Sequence, residues 1–385
     1  MRHPVWGKPR VSNGDRAPQP TVLLAGGGTG GHIYPNVGIV EALRAIRPDA
    51  RVRYLVSSRP GDAKIMTNLG EDWTPCPVRP LPTLRRPWDA LPFARAWRQG
   101  TAQVRKLITE HRIAAVVATG GFVSGPAIAV AASRGLPRAM VNLDGVPGAA
   151  NRLLVRRCSQ VFTAYASPKL PRADVIGLPL RNASVGAPDP AEARQALDLP
   201  ADRPLLFVTG ATHGATSVIE TMMALAKRED FRRAFEDWQI LHQCGTYDVA
   251  KLQRTYDDAG VRARAVDYLS AMGQAWAAAD IALSRAGAGS VAEAWANATP
   301  TLFVPNPYHR DQHQRLNAQP MVDGGAALIR NDAIDPERNA DDWGPVLREL
   351  AGDTERRKSM RRAGRQSCPP AGAAAVAKWI DRVLP

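Results

Sequence analysis

Long apolar runs are missing from this chain of 385 residues. None of them approaches the ~20 residues that a membrane-spanning helix requires. The first 20 residues mix Arg, Pro, Gly and Asn without an apolar core, which is typical of a flexible tail and not of a signal peptide. We therefore expect a cytoplasmic protein.

Cysteine is also scarce. The chain has four cysteines, and their scattered positions show no metal-ligand spacing: Cys76, Cys158, Cys244 and Cys368. This pattern excludes a zinc ribbon and a disulfide framework, and it predicts reduced, mostly buried thiols.

Acidic residues are outnumbered, since 36 Asp and Glu face 50 Lys and Arg and leave a formal net charge of +14. Such a surplus fits a nucleic acid, an anionic membrane or a phosphorylated substrate, although an arginine-rich composition accounts for part of it. No recognised nucleic-acid motif is present, so we do not expect a nucleic-acid partner.

The basic residues are concentrated between positions 79 and 112, where only Asp89 and Glu110 are acidic. Apolar residues alternate with them: Leu81, Leu84, Trp88, Leu91, Phe93 and Trp97. Arginine beside tryptophan and leucine predicts a surface that rests on anionic headgroups. The alternative is an ordinary amphipathic helix that packs on its own domain.

Strand and helix patterns alternate along the chain, which predicts an α/β protein with mostly parallel sheets. The expected strands cover residues 21–25, 52–56, 114–118, 139–143 and 160–164, and then 204–209, 239–243, 281–284 and 301–305. We predict two doubly wound, Rossmann-like domains that face a cleft, at 21–180 and 203–365. A Pro-rich linker at 181–202 would join them, and a terminal helix would lie within 366–385.

The sequence GGGTGGH at 26–32 follows the first expected strand and precedes a helix, expected over 37–44. Glycines allow a tight turn and a close approach to a helix N-terminus, which favours anions. No Lys follows as in a P-loop, and the match to G-x-G-x-x-G is loose. A turn without a ligand and a nicotinamide-dependent oxidoreductase therefore stay open. His32 adds a titratable group at the turn.

A second small-residue segment, RAGAGSVAE at 285–293, also joins a strand to a helix. Ser290 is a candidate N-cap. Glu293 is either a capping-box acid or an acceptor of hydrogen bonds from ligand hydroxyls. The stretch at 305–317 is rich in amides and imidazoles, which suit either sugar hydroxyls or a solvated loop.

Together GGTGGH (27–32), GGFVSGP (120–126), residues 285–293 and residues 311–317 resemble the MurG-type glycosyltransferases. The resemblance covers about residues 20–370. It implies the GT-B fold, with the last helix crossing back to the first domain. It also implies transfer of N-acetylglucosamine from UDP-N-acetylglucosamine to undecaprenyl-diphospho-N-acetylmuramoyl-pentapeptide in peptidoglycan synthesis.

The resemblance also implies roles for individual residues. Those expected to bind substrate are Thr29, Gly30 and Gly31 at the donor sugar and diphosphate, Thr212 at the diphosphate, Leu269 at the uracil, Arg181, Ala288, Gly289, Ser290, Val291, Ala292 and Glu293 around the nucleotide, Gln314 at the sugar hydroxyls, and Asp144 on the acceptor side. His32 and Asp144 are the candidate catalytic residues.

The expected chemistry is a single in-line displacement with inversion. No metal and no cofactor beside the donor substrate is expected, because no DxD-like pair stands near the glycine-rich loops. The expected partners are the UDP-sugar, a lipid-linked acceptor and the anionic inner face of the cell membrane, where the protein would be peripheral. Segments 141–144 and 210–215 differ from the family pattern. A divergent paralogue with another donor or acceptor, or a non-catalytic membrane scaffold, is therefore the alternative.

Overall fold

The computed structural model describes residues 20–82, 87–210 and 215–385. The predicted tail, apart from Pro20, lies outside the described residues. So do Leu84 of the basic stretch and Thr212 of the expected diphosphate site.

The first domain contains a parallel sheet, which has seven strands within the described residues, in the order β3-β2-β1-β4-β5-β6-β7. The strands are β1 (Thr21–Gly26), β2 (Arg51–Ser57), β3 (Trp73–Cys76), β4 (Ile113–Gly120), β5 (Arg138–Asn142), β6 (Gln160–Thr163) and β7 (Asp174–Val175). The short outer strands β3 and β7 were not expected from the sequence.

Helices cover both faces of this sheet: α1 (Gly30–Ile46), α2 (Pro60–Leu69), α3 (Ala90–Glu110), α4 (Ser124–Ser133) and α5 (Ala149–Leu154). Alternate residues of β1 enter different cores, as the period of a strand requires. Leu24 packs in one core with Ile39 of α1, and Leu23 packs in the other with Val104 of α3. All of β1 is therefore buried.

The second domain repeats this plan with a parallel sheet in the order β10-β9-β8-β11-β12-β13, six strands within the described part of the chain. They are β8 (Leu205–Thr209), β9 (Gln239–Gln243), β10 (Ala263–Val266), β11 (Ile281–Ser284), β12 (Thr301–Phe303) and β13 (Ala327–Ile329). The helices are α6 (Pro190–Gln195), α7 (Thr216–Lys227), α8 (Glu229–Ala234), α9 (Val249–Asp258), α10 (Met272–Ala278), α11 (Ala288–Ala296), α12 (His313–Asp323), α13 (Pro336–Gly352) and α14 (Thr354–Ser367). The predicted class, two doubly wound α/β domains, is confirmed.

The segment expected as a linker, 181–202, is only partly a connector. Its second half contains α6, which packs against α10 of the second domain. Arg194 of α6 is buried there, and its guanidinium lies 2.6 Å from the carboxylate of Asp280. The part of the chain that only connects the two domains is thus shorter than the predicted segment 181–202.

The chain ends in a helix that leaves the second domain. After α14, residues 368–371 lead to α15 (Gly372–Val383), which packs against α1 of the first domain. Trp379 of α15 meets Phe162 of β6 edge to face, with ring centroids 6.5 Å apart. Two connections therefore cross between the domains, near residue 180 and near residue 370.

Candidate active site

Each sheet has one point at which the strand order reverses, and these points are where doubly wound sheets bind ligands. In the first domain the point lies between β1 and β4, and in the second between β8 and β11. The described loops there are 27–29 and 121–123 in the first domain and 285–287 in the second. Both glycine-rich segments noted in the sequence thus lie at ligand-binding edges.

The glycine loop after β1 is tighter than expected, because α1 begins at Gly30. Thr29, Gly30 and Gly31 therefore stand at the helix N-terminus, where free N–H groups favour an anion. Thr29 is the N-cap residue, but its side chain makes no capping bond. Its hydroxyl lies 3.3 Å from the Nδ1 of His32.

His32 packs against Gly120, the last residue of β4. Gly120 has a φ of +116°, and a Cβ there would lie 2.7 Å from the Cδ2 of His32. Only glycine fits this contact. Burial lowers the pKa of His32 below its usual value, and the negative charges of Asp144 and Asp62 oppose that shift. The imidazole is thereby kept neutral at neutral pH, as a proton acceptor must be.

Asp144 follows β5 and meets the second domain across the cleft. Its Oδ1 accepts a hydrogen bond of 3.1 Å from the Nδ2 of Asn317, a residue of α12. The backbone N–H of Gly145 donates to the Oδ1 of the same Asn317 at 2.8 Å. Asp144 is therefore both a neighbour of the imidazole and a cross-domain anchor. The sequence had not indicated this second role.

Gln314 is the second residue of α12 and lines a cavity of about 440 Å³ at the switch point of the second domain. Its Oε1 accepts a hydrogen bond of 2.9 Å from the backbone N–H of Asn306. Its side-chain amide NH₂ makes no hydrogen bond to another of the described residues, so it can donate to a ligand. Gly287 and Tyr308 line the same cavity.

The helix α11 supplies six of the expected nucleotide residues in its first two turns: Ala288, Gly289, Ser290, Val291, Ala292 and Glu293. The suggestion that Ser290 is the N-cap is wrong, because Gly287 occupies that position and Ser290 lies inside the helix. The small residues before it let the helix start three residues earlier than the serine indicated.

Glu293 is not a capping-box acid, since it is the sixth residue of α11. Its carboxylate accepts hydrogen bonds of 3.0 Å from the Ser184 hydroxyl and of 3.0 Å from the Trp276 Nε1. Burial raises the pKa of Glu293, and these two bonds and the charge of Arg181 oppose the rise. The carboxylate is held in one orientation and retains lone pairs for ligand hydroxyls.

Arg181 connects the two sides of the cleft. Its guanidinium lies over the ring of Tyr34 in α1, 4.2 Å from the ring centroid, and its charge acts on Glu293. Tyr34 in turn hydrogen-bonds Tyr268, which follows β10, and burial together with Tyr268 raises the pKa of Tyr34 to about 12. Leu269, next in the chain, is buried. The two tyrosines had no motif that marked them.

Arg285 was noted only as the start of a motif, but it organises the second domain's edge. Its guanidinium donates to the Asp332 carboxylate at 2.7 Å, to the Ser217 hydroxyl at 2.7 Å and to the Val304 carbonyl at 2.9 Å. Two side chains and one backbone carbonyl, from three separate parts of the chain, therefore fix the loop after β11. Sequence separation concealed this set, because Ser217 and Asp332 lie far from Arg285 along the chain.

An apolar groove of about 280 Å³ opens on the first domain next to the loop after β4. Leu81, Phe93, Trp97, Phe122 and Leu153 line it, with Arg79 and Arg157 at its border. Leu153 is 66% exposed, and nearby Trp88 is 69% exposed. The end of α3 packs on its own domain, as the amphipathic-helix alternative expected, while the residues before and at its start leave apolar side chains in solvent.

None of the helices in the described part of the chain has the length and apolarity to cross a membrane. Over the same residues, no three His, Cys, Asp or Glu side chains are grouped so that they could hold a metal ion. The four cysteines are free thiols, two of them buried.

Comparison with known protein families gives two matches that together cover most of the chain. Residues 22–163 match the glycosyltransferase family 28 N-terminal domain, and residues 205–362 match the glycosyltransferase family 28 C-terminal domain. The boundary between the matches falls in the segment that joins the two sheets.

Two curated relatives are named UDP-N-acetylglucosamine–N-acetylmuramyl-(pentapeptide) pyrophosphoryl-undecaprenol N-acetylglucosamine transferase. The protein from Nocardioides sp. is 34% identical over 352 residues, which are 90% of this chain and 94% of that protein. The protein from Salinibacter ruber is 32% identical over 369 residues, 94% of this chain and 96% of that protein. The crystal structure of MurG from Acinetobacter baumannii has a TM-score of 0.72 at 23% identity and covers 95% of this chain and 100% of that one.

Proposed function

Because the chain belongs to glycosyltransferase family 28, we propose that it transfers N-acetylglucosamine from UDP-N-acetylglucosamine to undecaprenyl-diphospho-N-acetylmuramoyl-pentapeptide. The membership and the GT-B fold that the sequence predicted are confirmed. The donor and the acceptor are those in the names of relatives that align over nine tenths of the chain.

The observation that carries the proposal is the pairing of two different loops across one cleft. The first domain presents a neutral imidazole, His32, at a helix N-terminus. The second presents α11 and Gln314 beside a cavity of suitable size for a sugar. Asp144 and Asn317 join the two edges directly. The proposal is therefore supported by a candidate proton acceptor and a candidate sugar cavity on two edges that Asp144 and Asn317 join.

In the proposed reaction His32 accepts the proton of the acceptor hydroxyl as its oxygen attacks the anomeric carbon. The bond from that carbon to the diphosphate oxygen breaks on the opposite face, so the configuration inverts. The leaving UDP takes the electron pair of the broken bond. A positioned general base contributes about 10²- to 10⁴-fold to the rate.

The negative charge on the departing UDP is stabilised by helix N-termini. The helices α11 and α7 both begin at the switch point of the second domain, and α1 begins opposite them. Fixed N–H groups aimed at a developing charge lower the barrier by about 3 to 4 kcal/mol for each donor. We therefore propose that these donors suffice and that the reaction needs no divalent metal.

The apolar groove identifies the surface that we propose to rest on the inner face of the membrane. Phe122 lines the groove and lies two residues after Gly120, which contacts His32. Arg95, Arg98, Arg152 and Arg156 are exposed and lie close along the chain to the groove residues Trp97 and Leu153, and they suit anionic headgroups. A lipid-linked acceptor would then reach the imidazole without leaving the bilayer surface. We propose no nucleic-acid partner.

The decisive experiment measures UDP release by the purified protein with a panel of nucleotide sugars, in the presence and absence of the lipid-linked acceptor. We expect acceptor-dependent release from UDP-N-acetylglucosamine and much less from UDP-glucose and UDP-N-acetylgalactosamine. The rate should persist after treatment with EDTA.

Other outcomes separate the alternatives. Equal use of another nucleotide sugar, or of an acceptor without the muramoyl group, would identify a divergent paralogue. Binding of the donor without any UDP release would identify a non-catalytic scaffold. Loss of all activity with EDTA, restored by Mg²⁺, would contradict the metal-free mechanism.

A further inference from the structure

Asp62 lies beside the first glycine loop, in the first turn of α2, and is 2% exposed. Its Oδ2 accepts three hydrogen bonds: from the Gly28 N–H at 2.6 Å, from the Ser57 N–H at 3.1 Å and from the Ser57 hydroxyl at 2.6 Å. A buried carboxylate needs such donors, and the N-terminus of α2 favours its charge. The carboxylate therefore ties the glycine loop to the end of β2.

Arg59 holds the same glycine from its other side. The Nη1 of this residue donates to the carbonyl oxygen of Gly28 at 2.9 Å. Gly28 has a φ of +99°, which side-chain-bearing residues rarely adopt. The two peptide groups that flank Gly28 are thus fixed by side chains that come from outside the loop.

The position of Asp62 also explains why residue 27 is a glycine. A Cβ at residue 27 would lie 2.7 Å from the Oδ2 of Asp62 and 2.6 Å from the backbone nitrogen of Ser57. The absence of a side chain at Gly27 is therefore what allows the carboxylate to reach the loop. This part of the glycine run serves the support of the loop and not the approach of a ligand.

The supported loop leads directly to the candidate base. The residue after Gly28 is Thr29, whose hydroxyl lies 3.3 Å from the Nδ1 of His32 and whose carbonyl accepts from the N–H of His32 at 3.1 Å. A shift of Gly28 would move both. Thr119 of β4 donates to the carbonyl of His32 at 2.8 Å, so the base is held from the opposite side as well.

Charged groups reach His32 from two elements. Burial lowers the pKa of the imidazole, Asp144 after β5 raises it, and Asp62 from α2 raises it further. The end of β4 contributes Gly120, which has no side chain, and the uncharged Thr119. Asp62 therefore affects the imidazole by position and by charge.

We propose that Asp62 is a positioning residue for the transfer reaction. Through Gly28 it holds the loop that presents Thr29 and His32 to the donor, and its charge supports the imidazole as a proton acceptor. This inference rests on the proposed function, since it assumes that His32 is the base.

The test compares Asp62→Asn with Glu71→Gln in the UDP-release assay over a range of pH. Glu71 is a carboxylate of the same domain that pairs with Arg44 away from the loop, so its variant is the matched control. We expect Asp62→Asn to lower kcat by about 10- to 100-fold with little change in the KM of the donor. Removing the negative charge lowers the pKa of His32, so the acidic limb of kcat/KM should move to lower pH.

An Asp62→Asn protein with the kcat and the acidic limb of the wild type would overturn this inference and leave the proposed function unaffected. If that variant does not fold, Asp62→Glu decides the question, because it keeps the negative charge but its longer side chain moves the carboxylate away from the Gly28 N–H. A folded Asp62→Glu protein with a reduced kcat supports the inference, and one with the wild-type kcat overturns it. A wild-type protein and a Glu71→Gln protein that both lack transfer would refute the proposed function, and the inference with it.

Discussion

The two domains build their cleft edges from the same strand–loop–helix unit, but they fix their loops with different chemistry. In the first domain the glycine loop is held by hydrogen bonds from Asp62 and Arg59 to the backbone of Gly28. In the second the loop after β11 is held by an ion pair in which Arg285 and Asp332 are both largely buried. One edge is shaped through its backbone and the other through a side-chain network.

We propose that the two cleft edges have different roles because of this difference. In the first domain the glycines have no side chains and therefore leave space for a titratable group, the imidazole of His32. In the second domain the buried ion pair of Arg285 and Asp332 forms part of the wall of the cavity that Gln314 also lines. We therefore propose that the first domain carries out the proton transfer and that the second domain binds the nucleotide sugar.

The largest effect should come from the base itself. We expect His32→Ala to reduce kcat by about 10²- to 10⁴-fold. The donor Kd should be nearly unchanged, because we propose that the second domain binds most of the donor. Since burial lowers the pKa of His32, the acidic limb of kcat/KM should lie below the pKa of free imidazole. UDP-release kinetics and calorimetry measure both quantities.

The control for this experiment is His111→Ala, because His111 follows α3 at the other edge of the same sheet. It should behave as the wild type. If the His32→Ala protein turned over normally, Asp144 would become the candidate base. The proposed difference in role between the two cleft edges would then be wrong.

Next in size is the effect of breaking the ion pair of the second domain. Arg285→Met leaves the Asp332 carboxylate buried without its partner, which costs about 3 to 5 kcal/mol of the free energy of unfolding. Arg330→Met removes a half-exposed partner of Asp342 and should cost less than about 1 kcal/mol. Denaturant unfolding measures both. Equal losses would show that burial of the pair is not what fixes this edge.

A smaller effect is expected at the groove of the first domain. Leu153→Glu places a charge where the groove would meet the bilayer, and we expect about tenfold weaker binding to anionic vesicles, on the scale of one buried leucine. Ile46→Glu changes a 49% exposed residue at the end of α1 and should bind normally. Vesicle sedimentation gives the comparison. Equal binding by both variants would contradict the assignment of this surface.

At neutral pH the smallest effect is expected at the second domain's own buried imidazole, which contrasts with His32. His242 in β9 is fully buried, its Nδ1 lies 2.8 Å from the Tyr256 hydroxyl, and burial lowers its pKa to about 3. The unfolded chain binds a proton near the ordinary value while the native state does not, so stability should fall as the pH decreases from about 6.5 towards 3. His242→Phe should flatten this part of the pH profile, and an unchanged profile would exclude His242 as its source.

Sequence patterns predicted the central strands well and the outer ones poorly. The strands β1, β4, β8 and β11 are continuous apolar runs, because helices cover both of their faces. The strands β3, β7, β10 and β13 were missed. They are short and lie at or next to the edge of a sheet, where pairing with a neighbour and not apolar periodicity decides their conformation.

The candidate site divides in the same way. His32, Gln314 and Glu293 lie in local motifs, so their neighbourhood along the chain was enough to single them out. Asp62, Asn317 and the Tyr34–Tyr268 pair have no such neighbourhood, because their partners are supplied by other elements or by the other domain. The wrong suggestion of Ser290 as N-cap, and the capping-box alternative for Glu293, both came from placing the start of α11 by its serine.

The sequence by itself determined the alternation of strands and helices, the two glycine-rich turns and the family, because each depends on residues that are close along the chain. Only the tertiary structure decided which side chains support those turns. A hydrogen bond such as that from Gly28 to Asp62 joins residues 34 positions apart, and its existence depends on how two strands pair. Local propensity carries no information about that pairing, whereas the folded sheet fixes it to within the length of a hydrogen bond.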